Sequence, residues 1–309
     1  MTLPSEAARA SGPGAAAWWR FLRPFTLLPP ALGMLSGAVT AYGAQPRMAW
    51  RPELLWLALA GALVGSLLNG ASNALNQIFD LEIDRVNKPE RLLPSGALGL
   101  GRAWTIALCG YAGSMALAGV IGGQFFALSA LAAVATVLYS APPFRTKRFT
   151  FLANFTIAIP RGVLLKVAGW ATIRPALTPE PWYIGLVFGS FLLGATSTKD
   201  FSDVRGDRAH GCMTLPVRFG PQTATRLVAP FFVWPFLLIP LGVHLGILTG
   251  NPVLLDLLGV GLSAWGVYVA SLMLRVPEEL AATENHPSWT HMYWMMMTCQ
   301  AGFALAYYL

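Results

Sequence analysis

Residues 53–85 read ELLWLALAGALVGSLLNGASNALNQIFDLEIDR. From Leu54 to Phe79 there is no charged residue; Asp80, Glu82, Asp84 and Arg85 then follow together. About 20 apolar residues cross the hydrocarbon core of a bilayer as a helix. The stretch therefore reads as a membrane span that ends in carboxylates. Asn76, Asp80 and Asp84 are spaced i, i+4, i+8, which puts them on one helical face. Ionisable groups at membrane depth are costly and mark functional sites.

The rest of the 309-residue chain repeats the apolar part of this pattern. It is 55% hydrophobic and 11% charged, against roughly 25% charged residues in a soluble domain. Nine apolar runs are long enough to span, at 24–43, 53–76, 104–122, 124–142, 151–170, 181–198, 227–248, 252–274 and 290–309. Gly122 and Gly123 make a tight hairpin between the third and the fourth. Unpaired backbone cannot face lipid, so each run is expected to be a helix. The expected fold is all-α: a polytopic membrane protein, a bundle of nine transmembrane helices forming a single domain over 18–309. Met1–Ala17 is rich in small residues and is expected to be a disordered N-terminal tail. Trp18, Trp19, Arg20 and Arg23 then suit an interface. The first apolar run is long and lacks a small-residue cleavage site after it, so no cleaved signal peptide is expected.

Sixteen of the 21 Lys and Arg, from Arg9 to Arg275, fall in the N-terminal segment and the even-numbered connections. Only Arg47, Arg51 and Arg174 fall on the other side, and Arg161 and Lys166 lie inside the fifth run. The positive-inside rule then predicts a cytoplasmic N-terminus in a cell inner membrane, with the carboxylates near the cytoplasmic face. The net charge of +7 flanks apolar runs and forms no basic domain, which argues against a nucleic-acid partner. Cys109, Cys212 and Cys299 are far apart and have neither a disulfide framework nor zinc spacing.

A second acidic cluster stands at the end of the sixth run. In KDFSDVRGDR, residues 199–208, Asp200, Asp203 and Asp207 are spaced i, i+3, i+7, again one helical face. Asp80-x-x-x-Asp84-Arg85 is echoed by Asp203-x-x-x-Asp207-Arg208, and Leu93-Pro94 by Leu215-Pro216, a weak internal duplication. A lone Asp at a span end usually caps a helix; two matched rows on one side ask for more. Facing carboxylates repel unless a cation lies between them. Mg²⁺ takes oxygen ligands, usually a few carboxylates plus substrate phosphates. Arg85, Lys88 and Arg91 follow the first row, and Arg205 and Arg208 accompany the second. Carboxylates, a divalent ion and Lys/Arg together suit a diphosphate. The expected metal ligands are Asp80, Asp84, Asp200, Asp203, Asp207 and Asn76.

At these residues the chain resembles the UbiA superfamily of intramembrane prenyltransferases. The strings NQIFDLEIDRVNKPERLLPSG at 76–96 and KDFSDVRGDRAHGCMTLPVRFG at 199–220 are similar to its homogentisate prenyltransferase and chlorophyll synthase branches. The likeness covers about residues 20–230 well. It implies nine helices, Mg²⁺ as cofactor, and transfer of a prenyl group from an isoprenoid diphosphate to a small lipophilic acceptor. It assigns catalysis to Asp80, Asp84, Asp203 and Asp207. Many members carry Y-x-x-x-K between helices four and five. Here Tyr139-Ser-Ala-Pro-Pro-Phe-Arg145-Thr-Lys147 moves the base to Arg145 or Lys147, and the choice stays open. Asn76, Lys88, Arg91, Arg161, Arg208 and Tyr139 are the further expected diphosphate contacts. Arg161 could equally meet a polar acceptor, or a buried carbonyl or Asp, and Pro160 is expected to open the helix beside it. Lys166 lies deeper and is expected to snorkel or pair.

The implied chemistry is loss of diphosphate from an allylic donor, helped by Mg²⁺ and by Arg and Lys donors. A dry pocket protects the carbocation. Trp104, Phe125, Phe126, Tyr139 and Phe155 are rings that could face it, though most such rings only pack. The expected acceptor is an aromatic quinone precursor, then chlorophyllide, then a glycerol-phosphate lipid. A CDP-alcohol phosphotransferase would carry its Asp residues in one contiguous string, which this chain lacks. A transporter would gather polar groups near mid-membrane, whereas these acids crowd one side.

Overall fold

The computed structural model describes residues 21–282 and 286–309. The expected tail, with Trp18, Trp19 and Arg20, lies outside the described residues. Among the described residues there are helices and turns and no strand. In chain order the helices are α1 (Leu28–Gly43), α2 (Pro52–Phe79), α3 (Leu81–Asn87), α4 (Leu100–Ile121), α5 (Gly123–Ser140), α6 (Thr150–Ala171), α7 (Pro179–Ala195), α8 (Val204–Ala209), α9 (Leu215–His244), α10 (Pro252–Arg275), α11 (Pro277–Ala282) and α12 (Pro287–Tyr308).

Seven of them, α1 with its leading turn, α2, α4, α5, α6, α9 and α10, are long and apolar enough to cross a membrane. The runs at 181–198 and 290–309 are also helical. However, α7 has 17 residues, and α12 carries His291, Thr298 and Gln300 among its 22. Large apolar side chains such as Trp56, Val120, Leu131 and Leu257 point outward, as a lipid-facing surface requires. Proline opens α2, α7, α10 and α12, where its missing N–H costs nothing.

Two local features shape the interior. In α6 the residues Ile159–Leu164 form a π-helical turn; Pro160 has no N–H to give the ladder. Such turns often sit at functional sites. The turn packs tightly on α7: a Cβ at Gly162 would lie 2.5 Å from the Gly189 Cα. Small residues let membrane helices approach this closely. At the end of the bundle away from the acidic rows, buried Glu180 accepts from Tyr307 Oη at 2.6 Å, Thr249 N at 2.7 Å and Thr249 Oγ1 at 2.8 Å. A buried carboxylate is tolerable only with partners of this kind. Midway along, Ser36 Oγ donates to the Gln300 carbonyl at 2.6 Å, tying α12 to α1.

Candidate functional site

The first acidic row follows the helix face as expected, with one bend. α2 stops at Phe79, Asp80 takes φ −95° and ψ 8°, and α3 begins at Leu81. Backbone bonds run through the bend, from Asp80 N to Asn76 O (2.9 Å) and from Asp84 N to Asp80 O (2.7 Å). The second row departs from expectation. α7 ends at Ala195, Thr196–Thr198 is a 3-10 turn, and Asp200 and Asp203 sit in turns before α8. Asp200 N bonds Ser197 O at 3.0 Å and Asp203 N bonds Asp200 O at 3.2 Å. The row is thus a run of tight turns ending in one short helix, not a single helical face. The Ser and Thr residues there compete for backbone bonds and favour turns.

Bases hold the rows together. Asp80 accepts from Lys147 Nζ at 2.5 Å and from Arg145 Nη2 at 3.2 Å. Both members of the open Arg145/Lys147 choice therefore reach the same carboxylate. Arg145 Nη2 also donates to the Phe79 carbonyl at 3.0 Å, which satisfies a helix end. Asp84 accepts from Arg91 Nη1 at 2.7 Å through each oxygen. Asp203 accepts from Lys88 Nζ at 2.6 Å. Asn76 Oδ1 accepts from Ser140 Oγ at 3.3 Å, and Tyr139 lies within electrostatic reach of Asp80, Asp200 and Asp207. Arg208 is exposed and forms no ion pair with a row among the described residues.

Among the described residues Asp200 and Asp207 form no ion pair. Burial, reinforced by the neighbouring carboxylates, pushes Asp207 up to about 7; it raises Asp200 well above the usual range, with Asp207 and Asp203 adding to it. The rows therefore relieve the carboxylates that form no ion pair by favouring their protonated, neutral form. Among the described residues no three acidic, His or Cys side chains are gathered closely enough to hold an ion alone. An all-oxygen donor set short of a full cage fits Mg²⁺, which shares its shell with substrate phosphates.

Two residues outside the expected set belong to the site. Asn87 bridges the rows: its Oδ1 accepts from Gly206 N at 2.9 Å and its Nδ2 donates to Asp203 O at 3.3 Å. Its place beside Lys88 in the first acidic string is the only signal the sequence offers. Arg23 lies within electrostatic reach of Asp84, Asp80 and Arg161, and its buried Nη2 lacks a partner. Arg23 and Arg145 are the two non-glycine residues with left-handed backbone among those described, a conformation that clusters at functional sites.

Beside the rows lies a cavity of about 110 Å³. Its wall is mostly apolar, with Leu68, Leu164 and Met296 among the lining residues, and Arg161 of the π-helical turn projects from it. Lys166 faces away, its Nζ 4.1 Å above the Phe188 ring and 3.5 Å from the Gly33 carbonyl. It therefore pairs within the core, one of its two expected fates. Of the expected rings, Phe125 is buried in the core and Phe155 is exposed.

Apolar helices around a carboxylate-rich, base-lined end and an apolar cavity define an integral membrane enzyme that handles an anionic, lipid-tailed substrate. The chain belongs to the UbiA prenyltransferase family, whose sequence profile matches residues 27–294, and it is therefore a prenyltransferase. It is 30% identical over 288 residues to the bacteriochlorophyll synthase 34 kDa chain of Chloroflexus aurantiacus, covering 92% of this chain and 89% of that one. It is 30% identical over 217 residues to homogentisate phytyltransferase of Synechocystis sp., covering 68% and 70%. The fold matches a UbiA homolog from Archaeoglobus fulgidus bound to DMAPP and Mg²⁺, with TM-score 0.66, 20% identity and coverage of 93% and 99%.

Proposed function

We propose that this enzyme transfers a prenyl group from an isoprenoid diphosphate to an aromatic quinone precursor, with Mg²⁺ as cofactor. The observation that carries this reading is the Lys88, Arg91, Arg145 and Lys147 set, ion-paired to Asp84, Asp80 and Asp203 beside an apolar cavity. Asp80, Asp84, Asp203 and Asp207, supported by Asn76 and Asp200, would hold the ion, which when bound neutralises the leaving diphosphate. Arg145, Lys147, Lys88, Arg91 and Arg23 donate to the diphosphate oxygens as charge develops on them. The allylic C–O bond breaks and its electron pair leaves with the diphosphate. The cavity walls keep water from the cation. An electron pair of the acceptor ring then forms the new C–C bond, and the ring loses a proton to solvent. Arg208 and Tyr139 serve as outlying diphosphate contacts.

The same reading takes α7 and α12 as the two further spans of a nine-helix bundle within one domain, 18–309. The basic bias puts the N-terminus and the rows on the cytoplasmic side of the inner membrane. A second acceptor, chlorophyllide, is favoured by the bacteriochlorophyll synthase relative, which covers more of the chain than the phytyltransferase does.

Purified protein in nanodiscs, given Mg²⁺ and a C20 allylic diphosphate with homogentisate or chlorophyllide, tests the proposal. Diphosphate release together with a prenylated product is expected. No product from either acceptor would overturn it.

A further inference from the structure

At the end of the bundle away from the acidic rows, α1 and α2 flank a second apolar groove, of about 350 Å³. Leu54, Leu55 and Ala58 of α2 form one wall, and Tyr42, Trp50 and Tyr308 supply aromatic rings. The groove opens on the outer surface of the bundle, where Trp50, Leu55 and Trp56 are exposed. Its mouth is basic. The Arg47 guanidinium lies 5.3 Å from the centre of the Tyr42 ring and 5.9 Å from that of Tyr308, within cation–π range. It also donates to the Tyr308 carbonyl at 2.5 Å. Arg51 stands between Trp50 and the first turn of α2 and is exposed. Among the described residues neither arginine forms an ion pair, although Glu53 stands in that first turn. Arg174, the third arginine at this end, is already committed: it donates to the Ala44 and Pro46 carbonyls, each at 3.3 Å.

We propose that this groove binds an anionic phospholipid of the surrounding bilayer, with an acyl chain along Leu54, Leu55 and Ala58 and the phosphate on Arg47 and Arg51. The site needs neither substrate of prenyl transfer and stands or falls apart from that reading. The chemistry along the groove follows the order of a lipid: apolar wall, then rings, then charge. Tyr and Trp collect at the level of the headgroups. Arg matches phosphate oxygens through its fork of N–H donors. The two rings and the Tyr308 carbonyl fix Arg47 in place and leave its other donors for the phosphate. A headgroup of net negative charge suits two cations better than a zwitterion, whose ammonium returns the charge. A soluble anion would make no use of the apolar wall. Tyr42 ends α1, Leu54 starts α2 and Tyr308 ends α12, so the lipid would hold three elements together.

Nanodiscs of equal parts phosphatidylglycerol and phosphatidylcholine test the site, with a photoactivatable acyl chain carried by one lipid or by the other. Mass spectrometry maps the crosslinked peptides. In wild type, crosslinks to Tyr42, Trp50 or Leu55 should come from phosphatidylglycerol at least about fivefold more often than from phosphatidylcholine, a preference that one Arg at a membrane surface can support. Arg47→Gln and Arg51→Gln should each lower the preference about threefold, and the double substitution should leave the two lipids equal. Replacing both by Lys keeps the charge and should keep most of the preference. Arg226→Gln, among the basic residues on the side of the rows, should leave it unchanged. Equal labelling of the groove by the two lipids in wild type overturns the proposal, and this comparison decides even if the double variant does not fold. A preference that survives the double substitution also overturns it. So does displacement of the label by inorganic phosphate, which would mark a site for a soluble anion, or by a prenyl thiodiphosphate, which would mark a seat for the donor.

Discussion

Lys88 Nζ lies 2.6 Å from Asp203 Oδ1, so a base that follows the first acidic row neutralises the second, 115 positions away in sequence. The pair is largely buried on the Lys88 side and partly exposed on the Asp203 side. A divalent ion at Asp203 must compete with this ammonium. Lys88→Gln should therefore bind Mg²⁺ more tightly than wild type when substrate is absent. It should bind a prenyl thiodiphosphate about tenfold more weakly, since a charge-assisted donor is lost. Calorimetry with each ligand alone measures both, and opposite signs are the expected result.

The four motif carboxylates should each be indispensable. Asp80→Ala, Asp84→Ala, Asp203→Ala and Asp207→Ala are expected to lower turnover at least about a hundredfold, the scale of losing a main electrostatic element. Diphosphate release under saturating Mg²⁺ reads this directly. Near-wild-type rates in two of the four would remove the metal role.

Protonation of Asp207 gives a pH signature that does not need activity. Its acidity is weakened to about 7 by burial and neighbouring carboxylates, so the folded state holds a proton that the unfolded chain releases near pH 4. Stability from this group is present at low pH and lost as pH rises toward 7. In EDTA, the melting temperature should fall across that window, and Asp207→Asn should flatten the fall. An unchanged slope in the variant would place the perturbed carboxylate elsewhere.

How much of this was legible in the sequence differs by residue. The spacing of Asn76, Asp80 and Asp84 reports a helical face because neighbours four apart share one. The bend at Asp80 leaves the backbone bonds intact and so leaves the spacing unmarked. The second row obeys a helical spacing too, yet Thr196, Ser197 and Thr198 turn it into tight turns. Pro160 signalled the opening of α6, though not that Arg161 would face a cavity. Arg23 reads as an interface anchor because it precedes an apolar run. Its approach to Asp80 and Asp84 depends on how α1 packs on α2, which no local pattern encodes. Arg208 shows the converse: it sits in the motif and points outward.

Gly162 offers a packing test of the π-helical turn. With the Gly189 backbone 2.5 Å from where a Cβ would stand, Gly162→Ala must push α6 from α7. Overpacking of this kind costs about 1–3 kcal/mol. Thermal unfolding in detergent should register the loss, and a variant as stable as wild type would mean that the helices are less tightly apposed.

Orientation has its own check. Cysteines introduced near Arg47, Pro175 and Asn251 should react with an impermeant thiol reagent added outside intact cells, while those near Lys88 and Arg208 should not. The reverse pattern would invert the topology.

The Glu180 cluster fixes α12 at one extremity. There three hydrogen bonds converge on a buried carboxylate. At the opposite extremity Trp289 and Tyr293 meet Phe25 through ring faces 6.5 and 5.3 Å apart, and Met292 receives a long contact from Thr198. Ring contacts slide at little cost, whereas removing a hydrogen bond from a buried acid does not. α12 is thus pinned hardest at Tyr307, with Ser36 holding it midway at Gln300, and its other arm borders the cavity at Met292 and Tyr293. A swing of that arm, at the expense of the 3.1 Å hydrogen bond from Trp265 to His291, would part it from α1 along the flank of the bundle, so that a greasy molecule dissolved in the bilayer could slip in sideways without first crossing water.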